Sequence, residues 1–516
     1  MNGVFFMCSL PLHREVVAAL KRRGVKFDVL DVAENSCGPR AEYARLAPEA
    51  EVLDSFRLYA AQLPEGSPPI DDGVDEATIR YLAPFEGATL QMMDRRNGDR
   101  APVQELRELF LRYAALWRKL LDRHRPAAVV FHGTPHQGHD FVLYHLCRRA
   151  GVRTLLLERT FLNERMFVRN HLEDVPRWDD AELLASAPDA EARDATAYAG
   201  RGSSSEAGKN HYDTLNRRIN DLEEIRYRIS VPYLLKELLD FRYWRGLRTP
   251  VTDSFYGVAQ RRPTMFEFRR ADWGARWATR RGLRTYQRLA VRPDLDARYV
   301  YLALHYQPER TTVPDGGRFA DQTNLARLLA ESLPEGWRLY VREHPRQFRR
   351  PLIFPKVRSP GFYERLAAIP RVELVSLDFP AGELIGRSQA AATVTGSTAW
   401  EAVQAGRPGI VFGFPWYLHC PGVARIDDAA SCRDLLSAVA AGTFRVDLRT
   451  TAAFARRMNE HCFRGCFTEG ILKLSGLSYQ ENGELIAEAL DRRLQHPLPH
   501  VPYHLSTAEA EQAAES

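Results

Sequence analysis

Three segments between residues 299 and 413 decide the fold: YVYLALHYQPERTT (299–312), WRLYVREHPRQF (337–348) and AATVTGSTAWEAVQAGRPGIVFG (391–413). Each begins with an apolar run that is typical of a buried strand and continues into a polar loop. A helical pattern follows, so the repeated order strand, loop, helix predicts an α/β domain with a parallel sheet. Ligands of such sheets bind at the carboxyl ends of the strands. The polar residues expected there are His305, Gln307, Glu309, His344, Ser397 and Thr398.

The first 160 residues alternate in the same way. GVFFMCSL, VKFDVLDV, PAAVVFHG and VRTLLLERT predict buried strands, and amphipathic helical patterns stand between them. Between the second and third of these strands the pattern is less regular; DSFRLYAAQL (54–63) and DEATIRYLAPF (75–85) predict helices. The chain therefore predicts a second α/β domain, again with polar loops at its strand ends.

The composition changes between the two α/β halves. Residues 186–210 are small, polar and without periodicity, which predicts a linker or mobile loop. Residues 225–291 predict helices and hold 15 Arg or Lys against 5 Asp or Glu, with Tyr and Trp interleaved. Such a surface suits an anionic membrane or glycan. The alternative is a set of inter-domain helices whose arginines are solvated or paired.

These patterns give five predicted regions. They are an N-terminal α/β domain (1–180), a linker with the basic helical segment (181–296), a second α/β domain (297–475), a C-terminal helix (476–496) and a disordered tail (497–516). We expect a cleft between the two α/β domains. The C-terminal helix, GELIAEALDRRLQ, is expected to cross back towards the N-terminal half.

The bulk composition is that of an ordinary cytosolic protein. Of 516 residues, 45% are hydrophobic and 27% charged, and a net charge of +5 implies no nucleic-acid partner. The seven scattered cysteines predict reduced thiols and no metal site. The N-terminus lacks the leader and cleavage site of a signal peptide, and no apolar run approaches the roughly 18 residues of a membrane span. Any membrane contact is therefore expected to be peripheral.

The TVTGSTAWEA motif is suited to binding phosphate. Gly396 allows a tight turn, Ser397 or Thr398 can cap the helix that follows, and Glu401 lies one turn on. The amino terminus of that helix is an anion site. An ordinary capped helix gives the same pattern, so the motif alone is weak.

The REHPRQF motif is more specific. Pro345 holds His344 in an extended conformation at the end of a strand, and Arg342 and Arg346 flank it with positive charge. A histidine in this place can donate to a phosphate, although a lone histidine more often bonds a neighbouring loop. Upstream, Gln307 and Glu309 begin a loop rich in Pro and Gly that can close over a ligand or serve as a connector. The presence of these motifs in neighbouring βα units favours the binding site.

Together YQPERTT…GG.FADQ, REHP and TVTGSTAWEA..AGRPGIVFG resemble the bacterial capsule polysaccharide biosynthesis family, which includes transferases that add Kdo (3-deoxy-manno-oct-2-ulosonic acid) from CMP-Kdo to a lipid-linked acceptor. The resemblance covers residues 297–415 and extends weakly to the first half. It implies a GT-B architecture: two Rossmann-like domains face a cleft, with the donor on the C-terminal domain and the acceptor on the N-terminal one. It places the family's HP motif on His344 and Pro345, and its serine motif on Ser397.

The resemblance also implies the partners. They are a nucleotide sugar, such as CMP-Kdo, and a glycan or lipid-linked acceptor, with no cofactor and no metal. Such a transferase needs a base for the acceptor hydroxyl, or a carboxylate that stabilises an oxocarbenium-like centre. The candidates are His136, Asp140 and Glu158 in the N-terminal loops and Glu309 on the donor side. Each of them can equally be a helix cap or a member of a salt bridge.

Three readings of the function stay open. The first is a cytoplasmic glycosyltransferase of surface polysaccharide, in peripheral contact with the membrane. The second is another GT-B-fold enzyme, a polyol-phosphate transferase or a UDP-sugar 2-epimerase, against which the HYQPE stretch argues. The third is a non-catalytic partner in capsule assembly or export that keeps the fold.

Overall fold

A computed structural model describes residues 3–8, 12–63, 73–97, 102–162, 164–185, 265–307, 309–348, 358–467 and 469–496. These residues form two α/β units, each built on its own sheet. The predicted Rossmann-like, GT-B-like pair of domains is confirmed. The predicted linker (186–210), the greater part of the basic segment (225–264) and the predicted disordered tail (497–516) lie outside the described residues.

The first sheet has seven strands in the order β13-β6-β5-β4-β1-β2-β3. Strands β1 to β5 pair in parallel, whereas β6 and β13 are antiparallel to their neighbours. The strands are β1 (Val4–Cys8), β2 (Phe27–Val32), β3 (Glu51–Asp54), β4 (Ala128–Phe131), β5 (Arg153–Arg159), β6 (Arg165–Arg169) and β13 (Phe463–Arg464).

Eight helices of the first unit are described: α1 (His13–Arg22), α2 (Glu34–Cys37), α3 (Arg40–Leu46), α4 (Ser55–Leu58), α5 (Glu76–Asn97), α6 (Val103–His124), α7 (His139–Ala150) and α8 (Asp180–Ala185). Two differ from the sequence expectation. The helix expected over 54–63 is only the single turn α4, since Asp54 ends strand β3 and caps α4 at once. The helix expected over 75–85 continues through Pro84 to Asn97.

The second sheet is entirely parallel, in the order β12-β11-β10-β7-β8-β9. Its strands are β7 (Tyr299–Ala303), β8 (Arg338–Arg342), β9 (Val372–Leu374), β10 (Ala390–Thr393), β11 (Gly409–Val411) and β12 (Val423–Arg425). The central strands β7 and β10 are buried almost throughout, which is why their sequences read as near-continuous apolar runs.

The remaining helices are α9 (Met265–Leu289), α10 (Gln322–Ser332), α11 (Phe362–Ala367), α12 (Ala381–Arg387), α13 (Ser397–Gln404), α14 (Ala429–Ala441), α15 (Leu448–His461), α16 (Glu469–Ser475) and α17 (Tyr479–Gln495). Helix α9 is the described part of the predicted helical insertion. Its Tyr286 is fully buried in the core of the second unit, beside Phe348 and Tyr363.

The chain returns to the first unit after residue 461. Strand β13 pairs with β6, although it lies within the residues 297–475 that the sequence assigns to the second domain. Helix α17 then packs on α1: Ile486, Ala487 and Leu490 share one apolar core with the buried face of α1. Arg23 pairs with Glu484 at 2.5 Å on the rim of this contact.

Candidate functional site

The second sheet reverses its strand order between β7 and β10. From β7 the chain builds β8 and β9 on one side, and β10, β11 and β12 on the other. In open parallel sheets, ligands bind outside the carboxyl ends of the strands at such a reversal. The predicted donor residues lie at this place, because His305 follows β7, His344 follows β8 and Gly396 follows β10.

The imidazole of His305 joins these strand ends. Its Nε2 lies 2.9 Å from Thr393 Oγ1, at the end of β10, and its Nδ1 lies 2.9 Å from Thr311 Oγ1. A Cβ added to Gly396 would stand 3.0 Å from the ring of His305. A larger residue at position 396 would therefore displace the histidine, so the close approach of these two residues requires glycine.

Glu309 is an ionised carboxylate in this cluster. Its Oε2 lies 3.4 Å from His305 Nδ1. Burial tends to raise the pKa of Glu309, but the bond and charge of His305, followed by a bond from Thr311, lower it to about 2. A carboxylate of so low a pKa is a poor proton acceptor at neutral pH, but it is a fixed negative charge.

His344 presents a neutral N–H donor. Its Nδ1 accepts the backbone N–H of Arg346 at 3.1 Å, which leaves the proton on Nε2. Burial lowers the pKa of His344 to about 4, against the opposing charge of Glu309. Pro345 begins the 3₁₀ turn Pro345–Phe348 that brings the Arg346 amide back to the ring. Among the described residues no hydrogen-bond partner of Nε2 is found.

Two of the predicted binding residues are engaged in holding loops. Arg342 donates from Nη2 to the carbonyl oxygen of Leu377 at 2.7 Å. Gln307 donates from its side chain to Thr312 Oγ1 at 2.7 Å, and its backbone N–H donates to Gln347 Oε1 at 2.7 Å. These contacts shape the loops after β7 and β8.

The amino terminus of α13 is not capped by a side chain. Gly396 is the N-cap residue, and Ser397 Oγ donates to Glu401 Oε1 at 2.7 Å. The prediction that Ser397 or Thr398 caps the helix is therefore wrong, because both residues already have helical backbone. The first-turn N–H groups, with the positive end of the helix dipole, are left for an anion.

The first sheet has its own reversal, between β1 and β4, and three histidines cluster there. The ring centroids of His13 and His132 are 5.8 Å apart, and those of His132 and His136 are 6.0 Å apart. Burial lowers the pKa of all three; the charge of Arg310 adds to this for His132, whose pKa falls to about 4. The cluster is therefore uncharged at neutral pH.

The loop after β4 occupies two predicted catalytic residues. His136 has its Nδ1 2.7 Å from the carbonyl oxygen of Thr134 and its Nε2 3.0 Å from Gln137 Nε2. Asp140 accepts the backbone N–H groups of His136 and Gln137, at 3.1 and 2.7 Å. Asp140 thus fixes the turn at the start of α7, and His136 is held within that turn.

Glu158 lies between the two units. Its Oε2 accepts from Arg169 at 2.6 Å, and its Oε1 lies 3.7 Å from Arg310, which belongs to the loop after β7. Burial tends to raise the pKa of Glu158, but the charges of Arg169 and Arg310 hold it below its usual value. Arg310 also approaches Gly133, at the end of β4. The carboxyl edges of the two sheets therefore face one another, with the histidine cluster on one side and His305 on the other.

Several residues of this site were missed by sequence reasoning. His13 reads only as the start of a helix, and Thr393 only as the end of a strand. Arg310 looks like one of many arginines. Their roles depend on contacts between distant strands, and the available signal is their position directly after strands at the two reversals.

Within the described part of the chain, no group of three or more His, Cys, Asp or Glu side chains is arranged to hold a metal ion. None of the described helices combines the length and the apolar character needed to cross a membrane.

Comparison with known proteins gives matches among solved structures alone. No family model and no curated protein matches the chain. The Thermosulfurimonas dismutans KpsC β-Kdo 2,7 transferase is 9% identical, with a TM-score of 0.28, over 77% of this chain and 92% of that one. The Neisseria meningitidis UDP-GlcNAc 2-epimerase, bound to UDP-GlcNAc, is 11% identical, with a TM-score of 0.24, over 95% and 100%. The spinosyn rhamnosyltransferase SpnG is 12% identical, with a TM-score of 0.22, over 89% and 95%. Matches at this level carry no argument about activity.

Proposed function

We propose that this protein is a glycosyltransferase that takes its sugar from a nucleotide-activated donor. The observation that carries the proposal is the pair of anion-binding groups around His305: the Nε2–H of His344 and the uncapped amino terminus of α13. Both are donors, and both lie at the strand-order reversal where parallel sheets bind ligands. A phosphate bridging them would have the rest of its nucleotide along the carboxyl edge of the second sheet.

The charges in the cleft fit the chemistry of glycosyl transfer. The leaving nucleotide gains negative charge on its phosphate, which the α13 dipole and the His344 N–H would stabilise. The anomeric carbon gains positive charge, which the ionised Glu309 would stabilise. These roles need no bound metal, and we propose a metal-independent enzyme without a cofactor.

The acceptor would bind against the first sheet. His132 is an uncharged imidazole at the strand-order reversal, in the cluster with His13 and His136. In the proposed step, the acceptor hydroxyl gives its proton to His132 while its oxygen bonds to the anomeric carbon. The bond from that carbon to the phosphate oxygen breaks, and the nucleotide leaves with the electron pair. We propose His132 as the base in preference to Asp140 and Glu158, whose carboxylates hold the turn before α7 and the ion pairs with Arg169 and Arg310.

The finer identity rests on the resemblance of the REHP and TGSTAWEA motifs. We propose a CMP-linked donor, possibly carrying Kdo as the sugar, and a glycan or lipid-linked acceptor of capsular or other surface polysaccharide, met at the cytoplasmic side of the membrane. Capsule assembly proteins are the proposed protein neighbours.

The test is a screen of CMP-, UDP- and CDP-sugars against the purified chain. A stabilising thermal shift by one class, followed by release of its free nucleotide only when a glycan acceptor is added, is the expected result. His344→Ala should abolish the shift in a folded protein. Conversion of a UDP-sugar without an acceptor would identify an epimerase, and binding without turnover would identify a non-catalytic partner; either outcome overturns the proposal.

A further inference from the structure

Helix α9 has one face buried in the second unit. Tyr286 is fully buried, and Leu283 and Leu289 pack against the same core. A Cβ on Gly282 would lie 3.7 Å from the ring of Tyr363 and 4.0 Å from that of Phe348. This face fixes α9 to the domain and places it beside the turn that follows His344.

The opposite face of α9 is exposed and carries an indole among arginines. Trp277 is 66% exposed, the highest value among the large exposed hydrophobic side chains of the described residues. Arg281 lies over its ring, with Cζ 5.7 Å from the centroid. Arg284 and Arg288 continue the same face at helical spacing, and Arg280 lies beside it. We call these five residues the Trp277 face.

The charge of the Trp277 face is not neutralised locally. Residues 274–292 contain six arginines and no Asp or Glu. None of Arg280, Arg281, Arg284 and Arg288 has a carboxylate of another described residue within 4.0 Å. The preceding stretch, residues 225–264, holds 8 Arg or Lys against 3 Asp or Glu, so its charge adds to that of α9.

We propose that the Trp277 face binds the surface of an anionic lipid bilayer. An exposed tryptophan favours the interface between water and lipid, where its indole is half buried. The arginines around it attract anionic headgroups, and an amphipathic helix with a basic outer face lies in the plane of that interface. The bilayer would then lie next to the turn after His344, so the candidate site would open close to the membrane surface.

The experiment compares sedimentation with phosphatidylcholine vesicles that do or do not contain phosphatidylglycerol. The full chain should bind only the anionic vesicles, and added salt should release it because salt screens the attraction. Each basic residue near such a surface strengthens binding about fivefold. The triple variant Arg280→Glu, Arg284→Glu, Arg288→Glu should therefore bind roughly 100-fold more weakly, and Trp277→Ala should weaken binding without changing its salt dependence.

The matched control carries the same change of charge on other helices of the second unit. Arg327, Arg387 and Arg433 are exposed on α10, α12 and α14. The variant Arg327→Glu, Arg387→Glu, Arg433→Glu should keep most of the binding. Equal losses in the two triple variants would mean that net charge, and not the Trp277 face, causes binding, and would overturn the proposal. So would a chain that ignores anionic vesicles at low salt, including one whose tryptophan emission responds only to a soluble polyanion such as heparin.

Discussion

The guanidinium of Arg358 and the carboxylate of Glu343 form a buried pair joined by two hydrogen bonds, of 2.8 and 2.9 Å. Arg358 also donates to the carbonyl oxygen of His305 at 2.7 Å, and Glu343 accepts the backbone N–H of His344 at 2.8 Å. One ion pair therefore ties the end of β7 to the loop after β8. The spacing of the two donor-site histidines depends on it.

Glu343→Ala should lower the free energy of unfolding by about 3–5 kcal/mol, because it leaves the buried Arg358 charge without its partner. Replacing both residues, by Glu343→Leu with Arg358→Met, should cost less than the single change. Urea unfolding measures both. The exposed pair of Arg338 and Glu373 is the control, and Arg338→Ala should cost less than about 1 kcal/mol. A Glu343→Ala protein as stable as this control would contradict the role of the pair.

His344→Ala should weaken nucleotide binding about 10- to 100-fold, since it removes a hydrogen bond to a charged group worth about 1.5–3 kcal/mol. His344 is neutral well above a pKa of about 4, so its contribution should not change between pH 6 and pH 8. Calorimetric titration of the nucleotide checks both points. His496→Ala, on an exposed histidine after α17, should leave the affinity unchanged. An affinity that rises steeply from pH 8 to pH 6 through His344 would contradict the neutral donor.

Changing Ser397 and Thr398 together to alanine should weaken nucleotide binding but alter the free energy of unfolding by less than about 0.5 kcal/mol. The reason is that neither hydroxyl caps α13. Asp428→Ala is the contrasting variant, because Asp428 does cap α14 and its loss should cost about 1 kcal/mol. Thermal unfolding and nucleotide titration separate the two effects. Unchanged affinity in the alanine pair would remove these hydroxyls from the site.

Stability should fall as the pH drops below about 6.5. His13, His132, His136 and His145 have pKa values that burial lowers in the folded chain, so they stay neutral there while the unfolded chain takes up protons. Their contribution is complete above the unfolded pKa and is lost as the pH falls towards the folded values. His145→Phe, which keeps an aromatic ring against Phe85, should reduce the slope by about 1.4 kcal/mol per pH unit. Urea unfolding at pH 7.5 and pH 5.5 gives the slope, and an unchanged slope would contradict the assignment.

The sequence allowed the central strands to be predicted, because buried parallel strands read as apolar runs. It placed His305, His344 and Ser397 at strand ends, where they are. It could not show that Asp140 and Glu158 are engaged by neighbours, since those contacts depend on the turn before α7 and on Arg310 from the other unit. Strand β13 has only two residues, too few for any periodicity, and its pairing with β6 spans almost 300 residues of chain.

The return of α17 to α1 has a consequence for synthesis on the ribosome. The buried side chains of α1, Val16, Val17 and Leu20, are covered by Ile486 and Leu490, which are translated more than 460 residues later. At about 5–20 residues per second, tens of seconds pass before these residues emerge. During that time the nascent first domain exposes a sticky apolar surface, which is a natural point for a chaperone to bind.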